Sequence, residues 1–242
     1  MALLDRYKDI QDRIARAAAK TRRRPQDITL VAVTKAASPE AIKQLIDAGH
    51  TEVGESRVLQ LQQRAVQISE WLARQAGKTD KPLPAPENIH WHMVGHLQRN
   101  KVKPLLSVAS VIHSVDSLRL AEEIHSGIEK LGRSMQVMLE VNVSSESSKN
   151  GVAVGAAVHL AEQIDTMEGV QLIGLMTMAP YSEDPEEARP HFARLREIFE
   201  EVRFRKIGGE RFKHLSMGMS GDFEVAIQEG ATMVRIGSAL FG

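Results

Sequence analysis

No cysteine occurs among the 242 residues, which excludes disulfides, thiolate nucleophiles and cysteine-based zinc sites. Neither charge is in excess: Lys+Arg and Asp+Glu each number 31, for a formal net charge of zero. A balanced chain leaves no electrostatic footprint for nucleic acid or an anionic membrane. The one tight basic cluster, Arg22-Arg23-Arg24, reads as a solvated loop. No apolar run approaches the length of a membrane span. Asp5 and Asp9 interrupt the N-terminal apolar residues, unlike a signal peptide, so a cytoplasmic location is expected. Internal repeats, P-loop spacing and a Gly-x-Ser-x-Gly elbow are likewise missing.

What the chain does contain is alternation. Leu3, Leu4, Tyr7, Ile10 and Ile14 recur at helical spacing over residues 2–20. From Ile28 onward, short apolar runs alternate with longer helical patterns. The runs predict strands at 28–34, 51–54, 89–94, 111–115, 135–143, 170–176, 212–216 and 232–236. Helical patterns fall near 39–48, 56–76, 97–107, 117–131, 152–167, 185–204 and 221–229. Strand–helix alternation implies βαβ units and a parallel sheet. Eight strands in one domain-sized α/β chain predict a single-domain (β/α)8 barrel, with a doubly wound sheet as the weaker alternative. The last strand leaves no room for a helix after it, and the helix at 1–20 is placed to cover that gap. Residues 77–87, rich in Lys, Pro and Ala, read as a surface loop.

Active sites of such barrels line the C-terminal ends of the strands, and polar residues and glycines collect there. The first strand ends at Lys35, and a lysine at a strand mouth needs a reason. It can snorkel to water, or, partly desolvated, serve as a nucleophilic amine that forms a Schiff base. The later strands run into Gly54-Glu55-Ser56-Arg57, Gly95-His96, Ser114-Val115-Asp116, Asn142 and Met176-Thr177-Met178. Asp116 and Ser117 are also ordinary helix N-cap types. The last two strands lead into Ser216-Met217-Gly218-Met219-Ser220-Gly221 and Arg235-Ile236-Gly237-Ser238. Barrels commonly hold phosphate at these two loops, on glycine backbone N–H groups. A phosphorylated aldehyde would use both features.

In order along the chain these motifs, with Trp91-His92-Met93-Val94-Gly95-His96-Leu97-Gln98-Arg99-Asn100-Lys101 and Val141-Asn142-Val143 among them, closely resemble the pyridoxal-phosphate homeostasis proteins. That group shares the barrel of the alanine racemase N-terminal domain. The resemblance implies pyridoxal 5'-phosphate (PLP) as cofactor, an aldimine on Lys35, phosphate held by Ser220, Gly237 and Ser238, and Arg235 near the pyridine nitrogen. The implied cofactor-binding set is Lys35, Ser56, Asn142, Met176, Ser216, Ser220, Gly221, Arg235, Gly237 and Ser238. Ser56 departs from the asparagine usual in the Gly-Glu-Asn motif, though a hydroxyl still hydrogen-bonds.

A cation beside the ring nitrogen disfavours its protonation and weakens the ring as an electron sink. A racemase also needs a second base, which in alanine racemase comes from a further domain not seen in this chain. The expectation is a monomeric PLP carrier that can hand its cofactor to apo-enzymes; a racemase or lyase of low activity is the rival. Tyr7 and Tyr181 are the only tyrosines. Tyr181 follows strand six, with loop-surface packing expected of it. His90, His92 and His96 raise a metal site, but without a carboxylate placed to complete it, packing or hydrogen bonding is expected. The methionines of Met176-Thr177-Met178 and Met217-Gly218-Met219 read as core filling.

Overall fold

The computed structural model describes residues 2–75, 82–144, 146 and 150–242. Its strands are β1 (Thr29–Val33), β2 (Glu52–Glu55), β3 (His90–Met93), β4 (Val111–Val115), β5 (Met135–Asn142), β6 (Val152–Ala153), β7 (Val170–Met176), β8 (His214–Ser216) and β9 (Met233–Ile236). The helices are α1 (Leu3–Lys20), α2 (Pro39–Asp47), α3 (Val58–Gln75), α4 (Val102–Leu106), α5 (Leu118–Leu131), α6 (Val154–Asp165), α7 (Arg189–Phe204), α8 (Phe223–Gln228) and α9 (Ser238–Phe241). The strands run parallel in the order β4-β3-β2-β1-β9-β8-β7-β5, and β4 pairs with β5 to close the ring. This is the eight-stranded barrel that the apolar runs predict.

Two elements lie outside that prediction. The two-residue β6 pairs only with Val141 and Asn142 at the end of β5, outside the ring. The chain also has room for α9 after the last strand, a single turn closed by Gly242 N–H donating to Ser238 O at 2.8 Å. Helix α1 packs on α8 and α9 at the β1–β9 seam, burying Ile10, Ile14, Ala17 and Ala18. Leu4 stays exposed. The anticipated loop at 77–87 falls partly outside the described residues; Pro86–Asn88 form a 3-10 turn.

The arginine cluster is not simply solvated. Arg23 reaches back from the end of α1 and donates to Ala231 O at 2.8 Å and to Ile227 O, pinning the chain at and just beyond the end of α8. Only Arg22 and Arg24 remain exposed, the latter paired with Asp27 at 2.8 Å.

Two apolar layers hold the barrel. The larger lies between strands and helices, as parallel sheets covered on both faces require. The smaller fills the interior with Val111, Met138, Ile173, Met176 and Met233, and Met178 packs on its upper side. Barrel interiors are filled by layers of side chains, and flexible thioethers suit the irregular space.

Candidate functional site

The C-terminal strand ends open onto a cavity of about 390 Å³. Lys35, Ser56, Ser220, Gly221, Arg235, Gly237 and Ser238 line it, so seven of the ten residues singled out in the sequence converge there. Val94 and Gly95 form one wall; Met178, Pro180, Tyr181, Ser182 and Pro185, from the segment after β7, form another. Tyr181 is 93% exposed, so it is a rim residue and not packed into the loop surface.

The turn carrying Lys35 is built from behind. Lys35 lies two residues beyond β1 and is exposed, so burial does not hold it in place. Its neighbours do. Thr34 and Glu55 beneath it are fully buried. Thr34 Oγ1 lies 3.1 Å from Gly54 O and 3.3 Å from Glu55 Oε2. Arg64, on α3, donates to Glu55 Oε2 at 2.5 Å, to Ala37 O at 3.2 Å and to Thr34 O. Glu55 Oε1 in turn accepts from Ser56 N at 2.7 Å. One ion pair thus ties the lysine turn to the neighbouring Ser56 turn.

On the other side of Lys35 from β2, the loops after the neighbouring strands β9 and β8 are joined to each other. Ser220 Oγ accepts from Ala239 N at 3.2 Å, and Asp222 Oδ1 accepts from Met219 N at 2.5 Å. The turn needs glycine at 218, where φ is +93° and an added Cβ would come within 2.6 Å of Ala226 Cβ and 2.9 Å of Phe223 Cα. Gly218→Ala should therefore lower stability by about 1–3 kcal/mol, read as the urea midpoint at unchanged slope. An unchanged midpoint would mean that this loop adjusts freely.

Arg235 forms the floor at 4% exposure. Its Nη1 donates to Ser216 Oγ at 2.6 Å and its Nη2 to Thr177 O at 2.8 Å. Burial lowers this guanidinium to about 10, against the opposing pull of Glu140 and Asp222, and it remains a cation at neutral pH. A guanidinium has five donors, so others are left for the cavity.

The remaining three singled-out residues lie elsewhere. Ser216 sits beneath the floor as the acceptor for Arg235, fully buried. Met176 belongs to the apolar layer inside the barrel. The Asn142 amide folds onto its own loop, donating to Glu146 O at 2.8 Å and accepting from Ser144 Oγ at 3.1 Å. The histidines do meet a carboxylate. His90 Nδ1 and His92 Nε2 each lie 2.7 Å from an oxygen of Glu52, while His96 pairs with Asp116 at 3.3 Å. Among the described residues no cluster has the makings of a metal site.

Glu140, on β5, carried no signal in the sequence beyond lying in a strand. It is 3% exposed, and burial, helped by Asp116 and opposed by Arg235, raises its carboxyl from 4.5 to about 7. The folded state then holds this proton more tightly than the unfolded chain does. Stability is fully present below about 4.5 and falls as pH rises towards about 7. Glu140→Gln should match the parent near pH 4 and exceed it by on the order of 2–3 kcal/mol at pH 8. Equal thermal unfolding of the two proteins at pH 8 would refute this.

The closed parallel barrel and its polar C-terminal mouth are of the alanine racemase N-terminal-domain class, and the model of that family matches residues 7–242. A "Pyridoxal phosphate homeostasis protein" of Aquifex aeolicus (strain VF5) is 38% identical over 242 residues, covering 100% of this chain and 98% of that relative. The chain belongs to the pyridoxal phosphate homeostasis protein family. PipY of Synechococcus elongatus PCC7942, solved with PLP bound, is 34% identical with a TM-score of 0.73, covering 95% of this chain and 100% of that one. An alanine racemase of Clostridium difficile 630 shares the fold at 16% identity, with a TM-score of 0.70 over 99% of this chain and 57% of its own.

Proposed function

We propose that this chain binds pyridoxal 5'-phosphate at the C-terminal mouth of its barrel and keeps it available, holding it on Lys35 and releasing it to apo-enzymes. The observation that carries this reading is the meeting of one primary amine, two glycine–serine loops and one buried cation around a single cavity. Its volume, about 390 Å³, lies in the range of small-ligand sites.

The lining fits the group at three points. Lys35 supplies the amine that captures an aldehyde, with loss of water. Ser220-Gly221 and Gly237-Ser238 offer hydroxyls and backbone N–H groups to a phosphate, and no atom lies within 4 Å of where a Cβ on Gly221 would stand. Arg235 would offer its remaining N–H donors to the ring nitrogen. Bound there, PLP would supply a conjugated ring able to take up electrons. Arg235 restrains that ability, because a cation disfavours a second positive charge beside it.

Support from relatives is of the same kind: PipY, which covers 95% of this chain, carries PLP in its solved structure. A monomer remains the expected state and the cytoplasm the expected location. No helix among the described residues is long and apolar enough to cross a membrane. A racemase or lyase of low activity has one feature in its favour, the phenol of Tyr181 at the rim. The test is to load the protein with PLP, reduce with borohydride and map the modified peptide. The label should fall on Lys35; recovery on Lys101 or Lys149 instead would overturn the assignment.

A further inference from the structure

Beneath the floor of this cavity, a polar chain crosses the apolar interior of the barrel. Arg235 Nη1 lies 2.6 Å from Ser216 Oγ, and Ser216 Oγ lies 2.9 Å from His113 Nδ1. His113 Nε2 lies 2.8 Å from His92 Nδ1, and His92 Nε2 lies 2.7 Å from Glu52 Oε2. The members come from β9, β8, β4, β3 and β2. His92, His113 and Ser216 are at most 1% exposed, while Glu52 is 25% exposed at the opposite mouth. There the first residues of several strands, Thr29, Glu52, His90 and Met233 among them, open onto a second cavity of about 440 Å³.

Proton counting fixes the direction of this chain. Arginine only donates, so Ser216 Oγ accepts from Arg235, and the serine's own proton passes to His113 Nδ1. Burial holds His113 well below its ordinary value, so the ring is neutral and carries its single proton on Nε2. That N–H donates to His92 Nδ1, which leaves the His92 proton on Nε2, donated to the Glu52 carboxylate. Each donor meets an acceptor, with a pure donor at one end and a pure acceptor at the other. Reversing either histidine would point two N–H groups at each other, or leave the serine proton facing arginine.

We infer that Glu52, His92, His113 and Ser216 are positioning residues that fix Arg235 at the cofactor floor from the far mouth of the barrel. A barrel interior can be filled by apolar side chains, as Met138, Met176 and Met233 do beside this chain. A fully satisfied polar network there instead specifies one arrangement. The other ionisable groups acting on it are His90, on the second Glu52 oxygen, and His50, His214, Glu140 and Asp222. The inference rests on the proposed reading of the cavity only for the cofactor part of its test.

The first measurement needs no cofactor. Long-range ¹H–¹⁵N spectra of the apo-protein should show His92 and His113 both as neutral Nε2–H tautomers. An Nδ1–H tautomer or an imidazolium at either position overturns the inference, whether or not PLP binds. The second compares holo-proteins. Glu52→Ala should mix the His92 tautomers, shift the absorption band of bound PLP and speed its release by roughly two- to thirtyfold. Glu52→Gln keeps an oxygen opposite His92 Nε2 and should restore the parent behaviour. Gln136→Ala, at the same mouth but outside the chain, should change neither readout. If Glu52→Ala is folded and leaves both the tautomers and the PLP band as in the parent, Glu52 does not act on Arg235. Failure of the parent to bind PLP would count against the proposed function and leave the tautomer result standing.

Discussion

Arg64→Ala is expected to destabilise the protein by about 3–5 kcal/mol, because it leaves the Glu55 carboxylate buried without its partner. Glu55 is fully buried and Arg64 only 16% exposed, so water has little access to replace the lost charge. Two carbonyls lose a donor in the same change, those of Thr34 and Ala37. Arg64→Lys should recover part of the loss only, since a single ammonium cannot span three acceptors as a planar fork does. Urea unfolding of the two variants checks the order. A cost below about 1 kcal/mol for Arg64→Ala would show the pair to be replaceable. The binding site should report the same change: the Lys35 and Ser56 turns lose their common anchor, and PLP affinity should fall with stability.

Lys35→Ala should have the second large effect, and of a different kind. The lysine is exposed, so its removal disturbs no packing and the fold should be kept. What disappears is the amine, and with it any cofactor retained through reduction by borohydride. Truncating a residue that dominates binding typically costs about 2–4 kcal/mol, roughly a thirty- to thousandfold loss of affinity. The residual affinity belongs to the two glycine–serine loops and Arg235. Equilibrium dialysis with PLP measures both parts. Parent-like affinity in Lys35→Ala would place the capture elsewhere.

The sequence made the barrel legible because each buried strand is a short apolar run and each helix a 3.6-residue pattern, both local signals. The phosphate-type loops were legible for the same reason: glycine and serine cluster within a few residues of two strand ends. Depth was not legible. Ser216 and Met176 each end a strand, yet both side chains face inward below the mouth, so they support the floor without lining the cavity. Asn142 ends β5, but the extra pairing with β6 draws its loop back onto itself. Long-range partners were invisible as well. Nothing local joins Ser216 to His113, which are 103 residues apart, or Arg64 to Thr34, 30 apart. Glu52 shows the same limit, since the carboxylate that answers His90 and His92 stands about forty residues before them and on another strand.

Helix α1 has a consequence for how the chain is made. Its docking contacts are among the most distant in the molecule: Arg6 Nε donates to Leu240 O at 2.8 Å across 234 residues, and Arg13 pairs with Glu224 at 2.9 Å. The β1–β9 seam beneath it cannot close before β9 emerges. During synthesis, then, Ile10, Ile14, Ala17 and Ala18 leave the ribosome early and wait for nearly the whole chain before they are covered. Non-local closure of this kind is slow, and a waiting apolar stripe is open to chaperones and to self-association. Sealing of helix α1 therefore has to follow the emergence of β9 and the segments beside it.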